Sequence, residues 1–217
     1  MHPTDPARRF TGWLLLAGAA LSFAVSSGLM HAFTVFFVAF LAEFGWTRAD
    51  ASIAYALSQL MIGVSAPLVG GAVDRFGPRR LVAVGGSLLA LSLAASAVVS
   101  SLWHLIIIYG LLMTLGANCL GLVVFTPMIA RWFAHRLGFA IAVIQAANGM
   151  GRAVATPLSQ ILVETIGWRQ SYLLMAAFMA LVLLPLLGLL RQSRTEPDTQ
   201  VADRRSPAAP ITSATPR

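Results

Sequence analysis

The sequence has little charge for its length. Of its 217 residues, 11% are charged and 58% are hydrophobic, whereas about a quarter of the residues in a soluble domain are charged. Lysine is absent, so the net charge of +7 depends on arginine. The composition excludes an ordinary soluble domain and predicts a membrane protein. It does not indicate nucleic-acid binding, because the arginines lie mainly in loops between apolar segments.

Residues that would carry enzyme chemistry are also scarce. Cys119 is the single cysteine, so the sequence has no disulfide framework and no His/Cys cluster with metal spacing. No pair of carboxylates lies within an apolar segment. The sequence also lacks a phosphate-binding loop, a Gly-x-Ser-x-Gly motif and a His-Glu-x-x-His motif. We therefore expect no enzyme activity, no cofactor and no metal site.

Six apolar segments are long enough to cross a membrane, which takes about 20 helical residues. Their short connections make neighbouring helices antiparallel. We predict an all-α membrane protein, a six-transmembrane-helix bundle at 12–191. A cytoplasmic tail at 1–11 precedes it, and a disordered cytoplasmic tail at 192–217 follows it. The predicted spans are about 12–42, 51–73, 80–100, 103–130, 137–163 and 169–190.

The arginines also predict the orientation of the bundle. Those of the two tails and of the second and fourth loops all fall on one side of the membrane if there are six spans. The other side has Arg48 and Arg169, accompanied by Glu43, Asp50 and Glu164. Because short cytoplasmic loops collect arginine and lysine, both termini are expected to be cytoplasmic.

The loop after the second span carries the most specific motif. Residues 70–80 read GGAVDRFGPRR, a basic turn between two apolar segments. Its pattern resembles the loop between the second and third helices of the major facilitator superfamily, whose members have two six-helix halves. The resemblance implies that this loop holds the cytoplasmic faces of the two halves together. The alternative is a set of charges that only fixes topology. The motif residues are Gly70, Asp74, Arg75, Gly77, Arg79 and Arg80.

Other segments are similar to one branch of that family, the monocarboxylate transporters and oxalate/formate exchangers. They are FGWTRAD at 44–50, RWF at 131–133 followed by Arg136, Gly138 and Ala140, and the pair Pro157-Leu158 leading to GWR at 167–169. The resemblance implies an N-terminal six-helix half of a proton- or anion-coupled carrier of small organic anions.

Arg152 is the most informative single residue, because it lies near the middle of the fifth predicted span. A charge at that depth costs about 2.5 kcal/mol or more and usually faces a cavity or a partner. Gln145 and Asn148 lie on the same helical face as Arg152. We predict that this face lines a cavity and that Arg152 binds a substrate carboxylate. The alternative is an arginine that extends outward or pairs with a backbone carbonyl.

His31 occupies a comparable depth in the first span, on one helical face with Ser27 and Thr34. In the monocarboxylate transporters a first-helix lysine stands three residues before a TVFF run, and here His31 stands three residues before the same run at 34–37. The resemblance implies a substrate or proton role. Histidine also changes charge near physiological pH. A neutral histidine bonded between helices is the alternative.

Asn118 in the fourth span and Gln59 in the second are further candidates for the lining of a cavity. Each lies one helical turn from another polar residue, Thr114 and Tyr55 respectively. Hydrogen bonding between helices is the alternative for both.

The sequence predicts a secondary active transporter of small organic anions that works by alternating access. Its expected partners are the lipid bilayer, the anion, protons and a second six-helix half, which could be another copy or a separate chain. The expected location is the inner (plasma) membrane of a bacterium. The alternative is a truncated or split half-carrier that acts as a non-transporting subunit or is a remnant.

Overall fold

The structure is a computed structural model that describes residues 6–133 and 136–192. Within those ranges the chain is helical with no strand, and six helical stretches are long and apolar enough to cross a membrane. The predicted all-α bundle of six spans is therefore confirmed. The first helix already begins at Pro6. Residues 1–5 and 193–217, which include nearly all of the second predicted tail, lie outside the described residues.

The six spans are formed as follows. The first consists of α1 (Pro6–His31) and α2 (Phe33–Phe44), the second is α3 (Arg48–Phe76) and the third is α4 (Pro78–Ser96). The fourth contains α5 (Leu102–Leu105), a π-helical segment (Ile106–Met113), α6 (Thr114–Asn118) and α7 (Leu122–Trp132). The fifth is α8 (Leu137–Ile166) and the sixth is α9 (Trp168–Gln192).

Local sequence signals explain where the helices meet. Thr47 and Asp50 form a reciprocal cap at the start of α3, with Asp50 N donating to Thr47 Oγ1 at 3.2 Å and Thr47 N donating to Asp50 Oδ2 at 3.1 Å. Between α3 and α4 the chain turns at Gly77, whose φ of 82° favours glycine. Pro78 then occupies the first position of α4, where its missing N–H costs little.

Close backbone contacts hold neighbouring spans together. The first span packs mainly on the fifth and the second on the fourth, whereas the third packs on both the fourth and the sixth. At the crossing of α1 and α8, a Cβ atom added to Gly28 would lie 2.8 Å from the carbonyl oxygen of Gly151. At the crossing of α4 and α6, a Cβ atom on Gly116 would lie 2.7 Å from the backbone nitrogen of Leu89. Glycine thus permits contacts that larger residues would prevent.

Aromatic and ionic contacts stabilise the end of the bundle where residues 45–47 connect α2 to α3. Glu43 of α2 pairs with Arg169 Nη2 at 2.7 Å and also accepts a hydrogen bond from Trp168 Nε1. Deeper in the bundle, Phe36 of α2 stacks on Tyr172 of α9 with ring centroids 4.0 Å apart. These contacts tie the second half of the first span to the start of the sixth.

Two spans that the sequence predicts as continuous are interrupted. The first is interrupted by a single turn residue, Ala32, whose backbone stays in the α region and whose N–H still donates to the carbonyl oxygen of Gly28 at 2.9 Å. Next to it, the carbonyl oxygen of His31 accepts a hydrogen bond from Thr34 Oγ1 at 3.0 Å. The fourth widens into the π-helical segment, after which Thr114 Oγ1 donates to the carbonyl oxygen of Tyr109 at 2.9 Å. Side chains that donate to nearby backbone carbonyls offer an alternative to the regular backbone hydrogen bonds of a helix. Hydropathy gives no information about such hydrogen bonds.

The close contact of α1 and α8 at Gly28 and Gly151 predicts that one added methyl group lowers the stability of the bundle. Gly151→Ala should lower the thermal stability of the detergent-purified chain, because overpacking costs about 1–3 kcal/mol. Gly188→Ala is the matched control, since an added Cβ there meets nothing within 4 Å. The check is the unfolding temperature of both variants. Equal temperatures would contradict the proposed importance of this crossing.

Candidate functional site

The bundle contains a cavity of about 270 Å³ bordered by the first, second and fourth spans and by α8. Most of its wall is apolar, and its polar side chains converge from different helices. Four residues singled out from the sequence line it: His31, Gln59, Asn118 and Arg152. A concave, largely apolar cavity with a few convergent polar groups is the usual form of a small-molecule site.

Arg152 brings a charge to the cavity from α8. Its Nε donates a hydrogen bond to Ser27 Oγ on α1 at 2.8 Å. In the described part of the chain no carboxylate lies within 4 Å of its guanidinium. The charge is therefore held in place by a neutral hydroxyl, and the terminal nitrogens have no acidic partner among the described residues.

His31 lies half-buried at the end of α1 and also contacts Ser27, through the backbone. Its Nδ1 is 2.9 Å from the carbonyl oxygen of Ser27. Because a carbonyl oxygen can only accept a hydrogen bond, Nδ1 carries the proton in that contact. The other ring nitrogen, Nε2, is then the atom that can accept a proton or a hydrogen bond.

Asn118 and Gln59 contribute to the wall in different ways. The amide nitrogen of Asn118 donates to Ser65 Oγ at 2.7 Å and to the carbonyl oxygen of Ile62 at 3.3 Å, so it joins the fourth span to α3. Gln59 is exposed and lines the cavity from α3 together with Tyr55, one turn earlier. Asn118 thus has an interhelical contact at the cavity wall.

Gln145 and Asn148, the other two predicted binding residues, are not among the residues that line the cavity. Asn148 is buried and its amide nitrogen lies 3.5 Å from Gln145 Oε1, whereas Gln145 is exposed. The oxygen of Asn148 has no hydrogen-bond partner among the described residues. The structure therefore separates this pair from the four residues that meet at the cavity.

The cavity lining also includes residues that the sequence does not predict as binding residues, among them Ser27, Tyr55 and Tyr109. The sequence places Ser27 on the same helical face as His31, and that position is the available signal. It indicates Tyr55 only as a polar neighbour of Gln59, one helical turn away. Tyr109 lies in the π-helical segment, with its hydroxyl 3.4 Å from the carbonyl oxygen of Met30 and its ring 3.7 Å from that of Phe33. No pattern in the sequence predicted that segment.

The motif loop lies at the junction of α3 and α4, outside the cavity lining. Asp74 and Arg75 are exposed in the last turn of α3, and Arg79 and Arg80 are in the first turn of α4. Within the described ranges Asp74 has no ion pair. Gly70 faces α7, since a Cβ atom there would lie 3.8 Å from Val123 Cγ1.

Comparison with known proteins agrees with this architecture. A family model described as Major Facilitator Superfamily matches residues 13–215. The chain is 31% identical over 216 residues to monocarboxylate transporter 13 of Rattus norvegicus, a match that covers 98% of this chain and 49% of the relative. It is 30% identical over 213 residues to monocarboxylate transporter 11 of Homo sapiens, covering 97% and 44%.

The lengths and sources of these relatives bear on two of the sequence predictions. The chain spans about half the length of the curated relatives it matches. That proportion agrees with a single six-helix half. The relatives are mammalian, so they give no support to the predicted bacterial origin.

Proposed function

The chain belongs to the Major Facilitator Superfamily, as a monocarboxylate-transporter-like six-helix half, and from this premise we propose that it forms part of a carrier of small organic anions. The carrier would work by alternating access in the plasma membrane, driven by an ion or substrate gradient. The names of the relatives support a monocarboxylate as the substrate class.

The unpaired charge of Arg152 is the observation that carries this proposal. The guanidinium reaches the cavity, and no carboxylate of the described residues neutralises it. A charge at this depth in a membrane protein is costly unless it has a partner. A substrate carboxylate can supply that partner, because it can accept two parallel hydrogen bonds from one guanidinium.

His31 offers a means of coupling the anion to a proton. Arg152 from α8, Tyr55 from α3 and Tyr109 from the fourth span line the same cavity. Protonation at Nε2 would place a second positive charge beside Arg152, an arrangement that a bound carboxylate would stabilise. By linkage, the bound anion would favour binding of the proton, and the bound proton would strengthen binding of the anion by the same factor. The proposed coupling is therefore the movement of a proton together with the anion.

The proposal also includes a second six-helix half. Of the six spans, α3 and α8 have the smallest buried share, and added Cβ atoms at Gly63 and Gly149 would meet nothing within 4 Å. Small residues on a helix face permit close packing of a further helix. We assign the motif loop to the contact with that half, with Asp74 available for an ion pair.

The second candidate function is a membrane subunit that does not itself transport. It would apply if no second half closes the cavity. A half with no partner would leave the cavity open on one side.

The substrate proposal predicts that Arg152→Ala lowers uptake of radiolabelled lactate or pyruvate about 10- to 100-fold, since a hydrogen bond to a charged group contributes about 1.5–3 kcal/mol. Uptake is measured in cells that express the complete gene product containing this chain, at equal membrane abundance. Arg48→Ala, at the exposed start of α3, should transport normally. Unchanged uptake by Arg152→Ala would refute the anion site.

The coupling proposal predicts that uptake rises as the external pH falls between about 8 and 5, because the imidazolium form becomes populated. His31→Gln cannot titrate there and should lose this rise. His104→Gln is the control, since His104 lies outside the cavity lining with its Nδ1 3.3 Å from Ser100 Oγ. A pH response that survives in His31→Gln would assign the coupling to another group.

The two candidate functions predict different masses for the detergent-solubilised protein. A carrier assembled from two copies should have twice the chain mass of 23.1 kDa, and one assembled from two different chains should purify with a second six-span protein. Light scattering with the detergent contribution subtracted measures this mass. A monodisperse monomer would favour the non-transporting subunit.

A further inference from the structure

Ser27 contacts both of the groups on which the proposed function depends. Its hydroxyl oxygen accepts the hydrogen bond from Arg152 Nε at 2.8 Å, and its carbonyl oxygen accepts that from His31 Nδ1 at 2.9 Å. The side chain is buried, with 7% of its surface exposed. One residue of α1 thus touches the arginine of α8 through its side chain and the histidine through its backbone.

The hydroxyl contact determines which part of the guanidinium is left for a ligand. Arginine has five N–H donors, of which one is on Nε. With the Nε proton directed to Ser27, the four protons on the terminal nitrogens remain. The edge formed by those two nitrogens matches the two oxygens of a carboxylate.

We infer that Ser27 is a positioning residue for the anion site. Its hydroxyl orients Arg152 so that the terminal nitrogens meet the substrate, and its carbonyl orients His31 so that Nε2 is the atom that takes the proton. This inference rests on the function proposed above, and it adds a residue that acts through Arg152 and His31.

The two contacts can be separated by mutation. Ser27→Ala removes the hydroxyl and keeps the carbonyl, so it should disturb Arg152 and leave His31 in place. We expect the KM for lactate to rise about fivefold, as for one net hydrogen bond. Vmax should stay within about twofold, because a change that only weakens binding of the anion raises KM and leaves turnover unchanged. The pH dependence of uptake should be unchanged.

Ser22→Ala is the matched control. Ser22 lies on the same helix outside the cavity lining, and its hydroxyl donates to the carbonyl oxygen of Leu120 at 3.5 Å. Its replacement should leave KM unchanged. A similar rise in KM for both variants would show a general effect of removing hydroxyls from α1 and would overturn the inference.

A double-mutant cycle tests whether Ser27 acts through Arg152. Lysine has a methylene group where arginine has Nε, so Arg152→Lys removes the donor that contacts Ser27. Adding Ser27→Ala to Arg152→Lys should therefore raise KM no further, whereas independent effects would multiply. A second fivefold rise in the double variant would overturn the inference.

The outcomes distinguish this inference from the proposed function. If Arg152→Ala transports normally, the anion site itself is wrong. If Arg152→Ala loses uptake while Ser27→Ala keeps the original KM, only the positioning role of Ser27 is wrong. A fall in Vmax at unchanged KM in Ser27→Ala would also overturn it, because a merely structural role predicts that result.

Discussion

The close approach of α1 and α8 is the constraint on which the candidate site depends. The helices meet at Gly28 and Gly151, where an added Cβ on either residue would collide with the opposite backbone. Each glycine is adjacent in sequence to a residue of the site, Ser27 before Gly28 and Arg152 after Gly151. In a membrane the hydrophobic effect does not drive helices together, so such backbone contacts determine their separation. The separation in turn brings Arg152 within hydrogen-bond distance of Ser27.

The site combines a rigid wall with an unneutralised charge. Asn118 connects the fourth span to α3 through two hydrogen bonds, and Tyr109 stacks on Phe33 of the first span. These contacts fix three spans around the cavity without using a charged group. Arg152 enters from a fourth element and brings to the cavity a charge that has no acidic partner among the described residues. Binding chemistry and packing are thus assigned to different side chains.

Much of this arrangement follows from hydropathy and helical periodicity. Long apolar segments predict the six spans, and the depth and helical face of Arg152 predict that it faces a cavity. The role of His31 is implied by the family resemblance of its position. Helical periodicity shows which residues share a face of a helix. It does not show which part of that face, along the helix axis, lines a cavity. Asn148 and Gln145 share the face of Arg152, yet they lie about 6 Å and 10 Å from it along the axis. The cavity does not extend to them.

The fourth span shows a different limit of sequence reasoning. Its π-helical segment at Ile106–Met113 has more residues per turn than an α-helix, so residues beyond it fall on other faces than a period of 3.6 predicts. Nothing in a run of leucine, isoleucine and tyrosine distinguishes the two helix types. The contact of Thr114 Oγ1 with the carbonyl oxygen of Tyr109 becomes visible only in three dimensions. Ser27 was missed for a related reason, since its importance comes from a residue 125 positions away.

The interruption at Ala32 gives the first span two different attachments. Before it, α1 is fixed to α8 at the glycine crossing, and after it, α2 is fixed to α9 through Glu43 and Phe36. His31 immediately precedes that point and lines the cavity. The candidate site thus lies where the first span passes from its main contact with the fifth span to its contact with the start of the sixth.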